Sequence, residues 1–386
     1  MTVQIGLETL LHDQRAAVAG QRVGVIACAA SVDSRLESSV ARLFNQPGIH
    51  LTALYGAEHG LRGEAQAGQH VTTYEDTVTG LPVHSLYGAT LKPTPDMLAD
   101  VDTLLYDLQD GGLRFYTFLS TLAVVMQAAA ENGKRVLVLD RPAPLTGAVV
   151  EGGMLHPDYT SFVGVYPLPI RYGMTAGEIA QYMNDVHGIG CDLTVIPMRG
   201  WSRAMWHDET GMPFVPPSPN IPTLSALTAY TGTCLIEGTN LSEGRGTTRP
   251  FEYLGAPYID APAFADALNR LERPGVRFRP VYYVPTFSKY SGEVCAGVHL
   301  YITDRATYEP VATALHLIAT ARRLYPDHFA WREPWSEGAR RPIDLLTGGD
   351  LVRQHFNADG SVEALLDQWK EGLDTFEQTR SRYLLY

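Results

Sequence analysis

The stretch Asp102–Asp140, DTLLYDLQDGGLRFYTFLSTLAVVMQAAAENGKRVLVLD, decides the fold. It opens with an apolar run, Asp102–Leu108 (DTLLYDL), and closes with another, Arg135–Asp140 (RVLVLD). Both read as buried strands. Between them Thr117–Glu131 is an almost wholly apolar helix, stopped by Asn132-Gly133. Continuous apolar strands joined by helices predict a parallel sheet covered on both faces. The pattern extends outward. Upstream lie the strand-like runs Arg22–Cys28 (RVGVIAC) and His50–Tyr55 (HLTALY), with a helix expected over 34–44 behind Asp33 as its cap. Downstream, Thr175–Asp185 opens on Thr-Ala-Gly-Glu, a capping box with Glu178 at the third helical position. Asp192–Met198 (DLTVIPM) closes the series. Parallel sheets of this kind bind ligands beyond the carboxyl ends of their strands.

The chain has 386 residues, enough for two or three domains at roughly 150 residues each. A stretch with five prolines, Met212–Pro222 (MPFVPPSPNIP), marks the junction. Residues 1–225 form the expected α/β domain and 226–386 a smaller α+β domain. In the latter, Tyr282–Val284 and Gly297–Ile302 read as strands and Pro310–Leu324 as a helix with Pro in its first turn. Ser361–Phe376 reads as a helix with Leu365, Leu366, Trp369, Leu373 and Phe376 on one face.

Hydrophobic residues are 45% and charged residues 19%, which excludes wholesale disorder. Thirty Lys and Arg against 42 Asp and Glu give a net charge of −12. That argues against a nucleic-acid partner and against an anionic membrane, although a local Arg cluster could still hold one anionic group. No apolar run reaches the ~18–20 residues that span a bilayer. The amino-terminal MTVQIGLETLLHDQRAAVAG lacks the pattern of an export signal, so the sequence as written predicts a cytoplasmic protein, or a periplasmic or secreted one if a signal has been removed. Cys28, Cys191, Cys234 and Cys295 are far apart and in apolar, strand-like contexts, so they are expected as buried free thiols.

Polar residues crowd directly after apolar strands in three Gly-rich segments. In Tyr55–Gly68 (YGAEHGLRGEAQAG), Glu58, His59, Arg62 and Glu64 stand among four glycines. Glu and His at the carboxyl edge of a sheet suit acid/base work, the plain alternative being a solvated loop. In Tyr106–Tyr116 (YDLQDGGLRFY), Asp107, Gln109, Asp110, Arg114 and Tyr116 precede the buried helix, and Gly111-Gly112 lets the backbone approach a ligand. An Asp–Arg pair bracing the turn is equally compatible. In Ile236–Pro250 (IEGTNLSEGRGTTRP) stand Glu237, Asn240, Glu243, Arg245 and Arg249. This is not a P-loop, because the glycines are too far apart and Arg245 replaces the Lys. A mobile interdomain loop is the bland reading.

The sequence contains no G-x-S-x-G elbow, no H-E-x-x-H and no paired Cys ligands, and no G-x-G-x-x-G follows the first strand. No metal and no cofactor is expected. Carboxylates with Arg, His, Asn and Tyr on Gly-rich loops suit glycosidic bond cleavage, and equally plain sugar binding.

The same loops carry a resemblance. GAEHGLRG at 56–63, DLQDGGLRFYT at 107–117, DRPAPLTGAVVEG at 140–152, PSPNIPT at 217–223, YTGTCLIEGTNLSEGRGTTRPFEYLGAP at 230–257 and RSRYLLY at 380–386 resemble the DUF1343 (YbbC) family, the NamZ-type exo-β-N-acetylmuramidases among glycoside hydrolases. The similarity spans almost the whole chain. One departure is visible: Ala27, Cys28, Ala29 and Ala30 stand where a Thr-Asn turn is expected after the first strand. The resemblance implies a Rossmann-like amino-terminal domain, a smaller carboxy-terminal domain, and an active-site cleft between them. It implies release of N-acetylmuramic acid from the non-reducing ends of peptidoglycan-derived MurNAc-GlcNAc saccharides.

Within that frame Glu58 is the expected general acid, supported by His59. Asp110, Glu237 and Glu243 compete for the second role, and the substrate's acetamido group could instead be the nucleophile, oriented by Asp110 or Glu243. Two carboxyls about 5 Å apart indicate retention and roughly 6.5–9.5 Å inversion. Arg62, Arg114, Arg245 and Arg249 are candidates to grip the lactyl carboxylate of muramic acid. Asn220, Asn240, Tyr116 and Tyr253 are candidates for sugar contacts. The rivals are a non-catalytic muropeptide or carbohydrate-binding protein and a phosphate-ester hydrolase.

Overall fold

The computed structural model describes residues 2–386. The chain divides into two compact units that interleave in sequence. The first comprises Met1–Val149, Tyr172–Pro222 and Gln378–Tyr386, and the second Val150–Arg171 and Thr223–Glu377.

The first unit is built on strands β1 (Arg22–Ala27), β2 (His50–Gly56), β3 (Tyr74–Glu75), β4 (Pro82–Ser85), β5 (Thr103–Tyr106), β6 (Arg135–Leu139) and β7 (Asp192–Ile196). They form one sheet in the order β3-β4-β2-β1-β5-β6-β7. Every pairing is parallel except that of the edge strand β3. The α/β expectation is therefore met. Strand order reverses beside β1, so the loops after β1, β2 and β5 meet at a topological switch point. Period-two alternation buries both faces. Val23, Val25, Leu105 and Leu137 join one apolar cluster with Leu7 and Leu10 of α1 (Gly6–Asp13) and Val40 and Leu43 of α2 (Ser39–Phe44). On β5 the neighbouring Tyr106 reaches α3 (Thr117–Glu131), donating its hydroxyl to the Phe118 carbonyl at 2.9 Å. Thr175 caps α4 (Ala176–Val186), and its capping box with Glu178 is present.

The second unit holds α5 (Leu224–Thr233), α6 (Ala261–Asn269), α7 (Pro310–Leu324), α8 (Pro342–Thr347), α9 (Leu351–Asn357) and most of α10 (Val362–Arg380). Its antiparallel sheet has the order β8 (Tyr253–Ala256), β10 (Cys295–Ile302), β9 (Val276–Tyr283). β9 starts six residues before the expected strand because it pairs along the whole of β10, from Val276 opposite Ile302 to Tyr283 opposite Cys295.

Two sequence readings need correction. The helix expected from residue 34 begins at Ser39. Asp33 caps a turn instead: its carboxylate accepts the amides of Arg35 and Glu37, each at 2.9 Å, and Leu36 takes φ +66°. The four cysteines are buried and free as expected, but only Cys295 lies in a strand; Cys234 sits in a 3₁₀ turn after α5.

Candidate active site

Glu58 lies just beyond the carboxyl end of β2, 8% exposed. Its carboxylate accepts the Gly68 amide at 2.9 Å and the Thr117 hydroxyl at 2.5 Å. Gly68 takes φ +79°, which lets the loop fold back onto the carboxylate. Thr117 is the first residue of α3, so the loop after β5 holds the loop after β2. Tyr87 adds a third contact: burial and a hydrogen bond to Glu58 push its hydroxyl up to about 12. All of Glu58's named partners are neutral donors.

His59 is buried in the left-handed region at φ +74°, a backbone state that costs a non-Gly residue of order 1–3 kcal/mol. Its Nδ1 lies 2.9 Å from the Ala65 carbonyl, which ties the ring to the turn. Arg62 is half exposed and pairs with the buried Asp76. Asn220 donates to Gln66 at 3.0 Å and so braces the same loop from the Pro-rich stretch.

The loop after β5 is organised around two aspartates. Asp107 is fully buried and forms a bidentate pair with Arg141, at 2.7 and 2.8 Å. Its partner is thus an arginine after β6. Asp110 accepts the Tyr172 hydroxyl, and the amides of Gly111 and Gly112 also point to it. Burial outweighs these donors and pushes Asp110 up to about 6 from 3.8. Asp110 and Arg141 line a small cavity with Gln109, Gly112, Pro142 and Thr175. Arg114 is completely buried, and burial pulls its guanidinium down to about 9. Tyr116 precedes α3 with its ring edge-on to Phe118 at 5.1 Å. After β6, Asp140 accepts the Gly177 amide, the Thr175 hydroxyl and the Tyr386 hydroxyl, at 2.7–2.8 Å. Burial raises it to about 6.

In the second unit, Glu237, Glu243 and Arg245 come together. Arg245 donates to Glu237 at 2.8 Å, lies 3.6 Å from Glu243, and places its guanidinium 5.0 Å from the centre of the Phe251 ring. Lys289 reaches Glu243 at 3.0 Å and donates to the Ile236 and Leu241 carbonyls at 3.1 and 2.8 Å. Burial alone would raise Glu243, but the attraction of Lys289 and Arg245 wins and lowers it. Asn240 is spent on structure: it donates to the His328 carbonyl and accepts from Tyr258 and the Ala330 amide. Arg249 is half exposed, with Glu252 at 3.5 Å. Tyr253 lies edge-on to His299 at 4.9 Å.

Sequence reading passed over Thr117, Tyr172, Arg141 and Lys289. For Arg141 a signal existed, since it stands two residues after the apolar strand β6. Lys289 stands in a segment with no apolar period to mark it.

Fold and site together define a two-unit α/β protein with buried carboxyls on the carboxyl edge of its larger sheet. The model of the family "Exo-beta-N-acetylmuramidase NamZ, N-terminal" matches residues 23–225, and that of the corresponding C-terminal domain matches 228–386. The chain belongs to this NamZ family. It is 48% identical over 384 residues to the "Peptidoglycan beta-N-acetylmuramidase NamZ" of Bacillus subtilis (strain 168), covering 100% of this chain and 91% of the relative. Two DUF1343 family crystal structures from Bacteroides fragilis NCTC 9343 are similar along the whole chain. One is 36% identical with a TM-score of 0.91 and the other 28% identical with a TM-score of 0.77, each covering 100% of this chain and 99% of its own.

Proposed function

We propose that this chain is an exo-acting β-N-acetylmuramidase, a glycoside hydrolase that releases N-acetylmuramic acid from the non-reducing ends of peptidoglycan-derived MurNAc-GlcNAc saccharides. The observation that carries the chemistry is Glu58, buried on a strained turn and held by the Gly68 amide and the Thr117 hydroxyl. Membership of the NamZ family and the Bacillus relative's activity support the substrate class.

In this reading Glu58 is the general acid that protonates the leaving glycosidic oxygen, with His59 fixing the turn that presents it. Asp110, up near 6, supplies the second carboxyl of the first unit. Glu243, held ionised by Lys289 and Arg245, is unsuited to give a proton and is cast as an orienting or basic carboxylate, with Glu237 as the partner that fixes Arg245. Of the four arginines proposed for the lactyl carboxylate, Arg62 and Arg249 are the half-exposed ones, Arg245 is held by two glutamates, and Arg114 is interior. Asn220, Tyr116 and Tyr253 remain proposed sugar contacts, and Asn240 holds the loop that bears Glu243.

The test is hydrolysis of a chromogenic N-acetylmuramic acid β-glycoside beside its N-acetylglucosamine counterpart. Release from the muramic glycoside, abolished by Glu58→Gln, is expected. Release from neither substrate overturns the assignment.

A further inference from the structure

The protein carries a net charge of −12, yet one face of the second unit's sheet is cationic. The antiparallel register puts Arg279 of β9 and Tyr253 of β8 directly opposite His299 of β10, and Arg277 opposite Tyr301. Residues directly opposite one another share a face, and so do residues two apart along a strand. These five side chains therefore form two adjacent rows on one face. The reverse face carries Leu254, Val298, Leu300 and Phe278, all buried, and α6 packs against this sheet.

Arg277, Arg279 and Tyr301 are exposed. The Arg279 guanidinium lies 5.9 Å from the centre of the Tyr301 ring and donates to the Tyr301 hydroxyl at 3.3 Å. Neither Arg277 nor Arg279 has a carboxylate partner among the described residues. Arg249, at the start of the turn into β8, acts electrostatically on the same histidine, and Glu252 lies 3.5 Å from its guanidinium. His299 forms the floor. It is 7% exposed, its ring stands 3.9 Å from that of Tyr301, and its Nδ1 is buried without a hydrogen-bond partner. The surrounding cations act on it: burial, then Arg279 and Arg249, pull it down to about 4, so it adds no charge near neutrality.

Three guanidiniums with no carboxylate nearer than the Glu252 contact of Arg249 at 3.5 Å, above a buried ring nitrogen left open, fit a planar anion with an apolar neighbour. We propose that Arg249, Arg277 and Arg279 form a receptor for the lactyl carboxylate of N-acetylmuramic acid, with Arg277 and Arg279 telling that sugar from N-acetylglucosamine. This rests on the muramidase reading for the identity of the anion, and charge complementarity selects it from the neutral amino sugar.

Calorimetric binding of free N-acetylmuramic acid and of N-acetylglucosamine separates this inference from that reading. The wild type binds the muramic sugar more tightly. In R277Q/R279Q its affinity falls by about tenfold to a hundredfold, while binding of N-acetylglucosamine is unchanged. R279K restores only part of the loss from R279Q, because an ammonium lacks the fork that matches a carboxylate. Unchanged muramic acid affinity in R277Q/R279Q overturns the receptor, whatever the hydrolysis assay shows. Inorganic phosphate binding as tightly as the muramic sugar overturns it too, by marking a general anion site. Failure of the wild type to cleave the muramic glycoside, with binding discrimination intact, strikes the catalytic reading alone.

Discussion

Glu58 and Glu243 are both buried glutamates on Gly-rich loops, yet opposite partners hold them. Glu58 sits at the end of a parallel strand, and its partners are an amide and two hydroxyls. Glu243 sits beside the antiparallel sheet and faces Lys289 and Arg245. Neutral donors orient a carboxyl and favour its charged form only modestly, whereas two nearby cations do so strongly. Asp110 sharpens the contrast, because with a hydroxyl and two amides about it burial wins and the group rises to about 6. Asp110 of the first unit is thus raised, and Glu243 of the second lowered.

The largest effect that can break this comparison is catalytic. Glu58→Gln should lower kcat on the muramic glycoside by about 10²–10⁴-fold with a nearly unchanged melting temperature, since the glutamine carbonyl still accepts from Gly68 and its amide can donate to the Thr117 hydroxyl. Near-normal turnover in that variant would remove Glu58 from the chemistry.

Next comes the ionic side. Lys289→Met strands a buried carboxylate and should cost about 3–5 kcal/mol in urea unfolding. Lys289→Met combined with Glu243→Gln should recover most of it. If the single and double variants are equally unstable, the lysine acts through its two carbonyl bonds and the electrostatic contrast fails.

Asp110 offers a smaller, pH-dependent test. Its folded value lies above 3.8, so the native state binds more protons between the two values. The group's destabilisation is absent below 3.8 and fully present above about 6. Wild-type stability should therefore lose about 1–3 kcal/mol from this group as pH rises from 4 to 6, and Asp110→Asn should lack that fall. Parallel stability curves for the two proteins would show that Asp110 has an ordinary value.

Smallest is the cap of α4. Thr175→Ala removes the hydroxyl that accepts from Glu178 and donates to Asp140, costing about 1 kcal/mol, and Thr175→Ser should keep most of it. A silent Thr175→Ala would mean that Asp140 is held sufficiently by Gly177 and Tyr386.

The parallel strands were legible because burial on both faces makes them continuous apolar runs, as in RVLVLD at 135–140. α3 is bounded at Thr117 and Glu131 as read, because Asn132-Gly133 ends it locally. The start of α2 was not legible: Asp33 is as good a turn-former as a cap, and the choice between them rests on neighbours rather than on local pattern. The loops with Glu58 and Asp110 could be located from Gly content and position after strands, whereas the loop with Glu237 and Glu243, also expected after a strand, follows α5 through a 3₁₀ turn. Their partners could not.

What the sequence determined by itself is the alternation of strands and helices, the Pro-rich stretch between two kinds of pattern, and the loops where polar residues crowd. These depend on local periodicity and turn chemistry, which neighbouring residues carry. Tertiary structure alone decided that Asp107 meets Arg141, that Tyr172 reaches Asp110, that Lys289 holds Glu243, and that Arg279 stands opposite His299 and Arg277 opposite Tyr301. Each of these pairings joins segments distant in the chain, and burial and strand register set them, neither of which any short stretch of sequence contains.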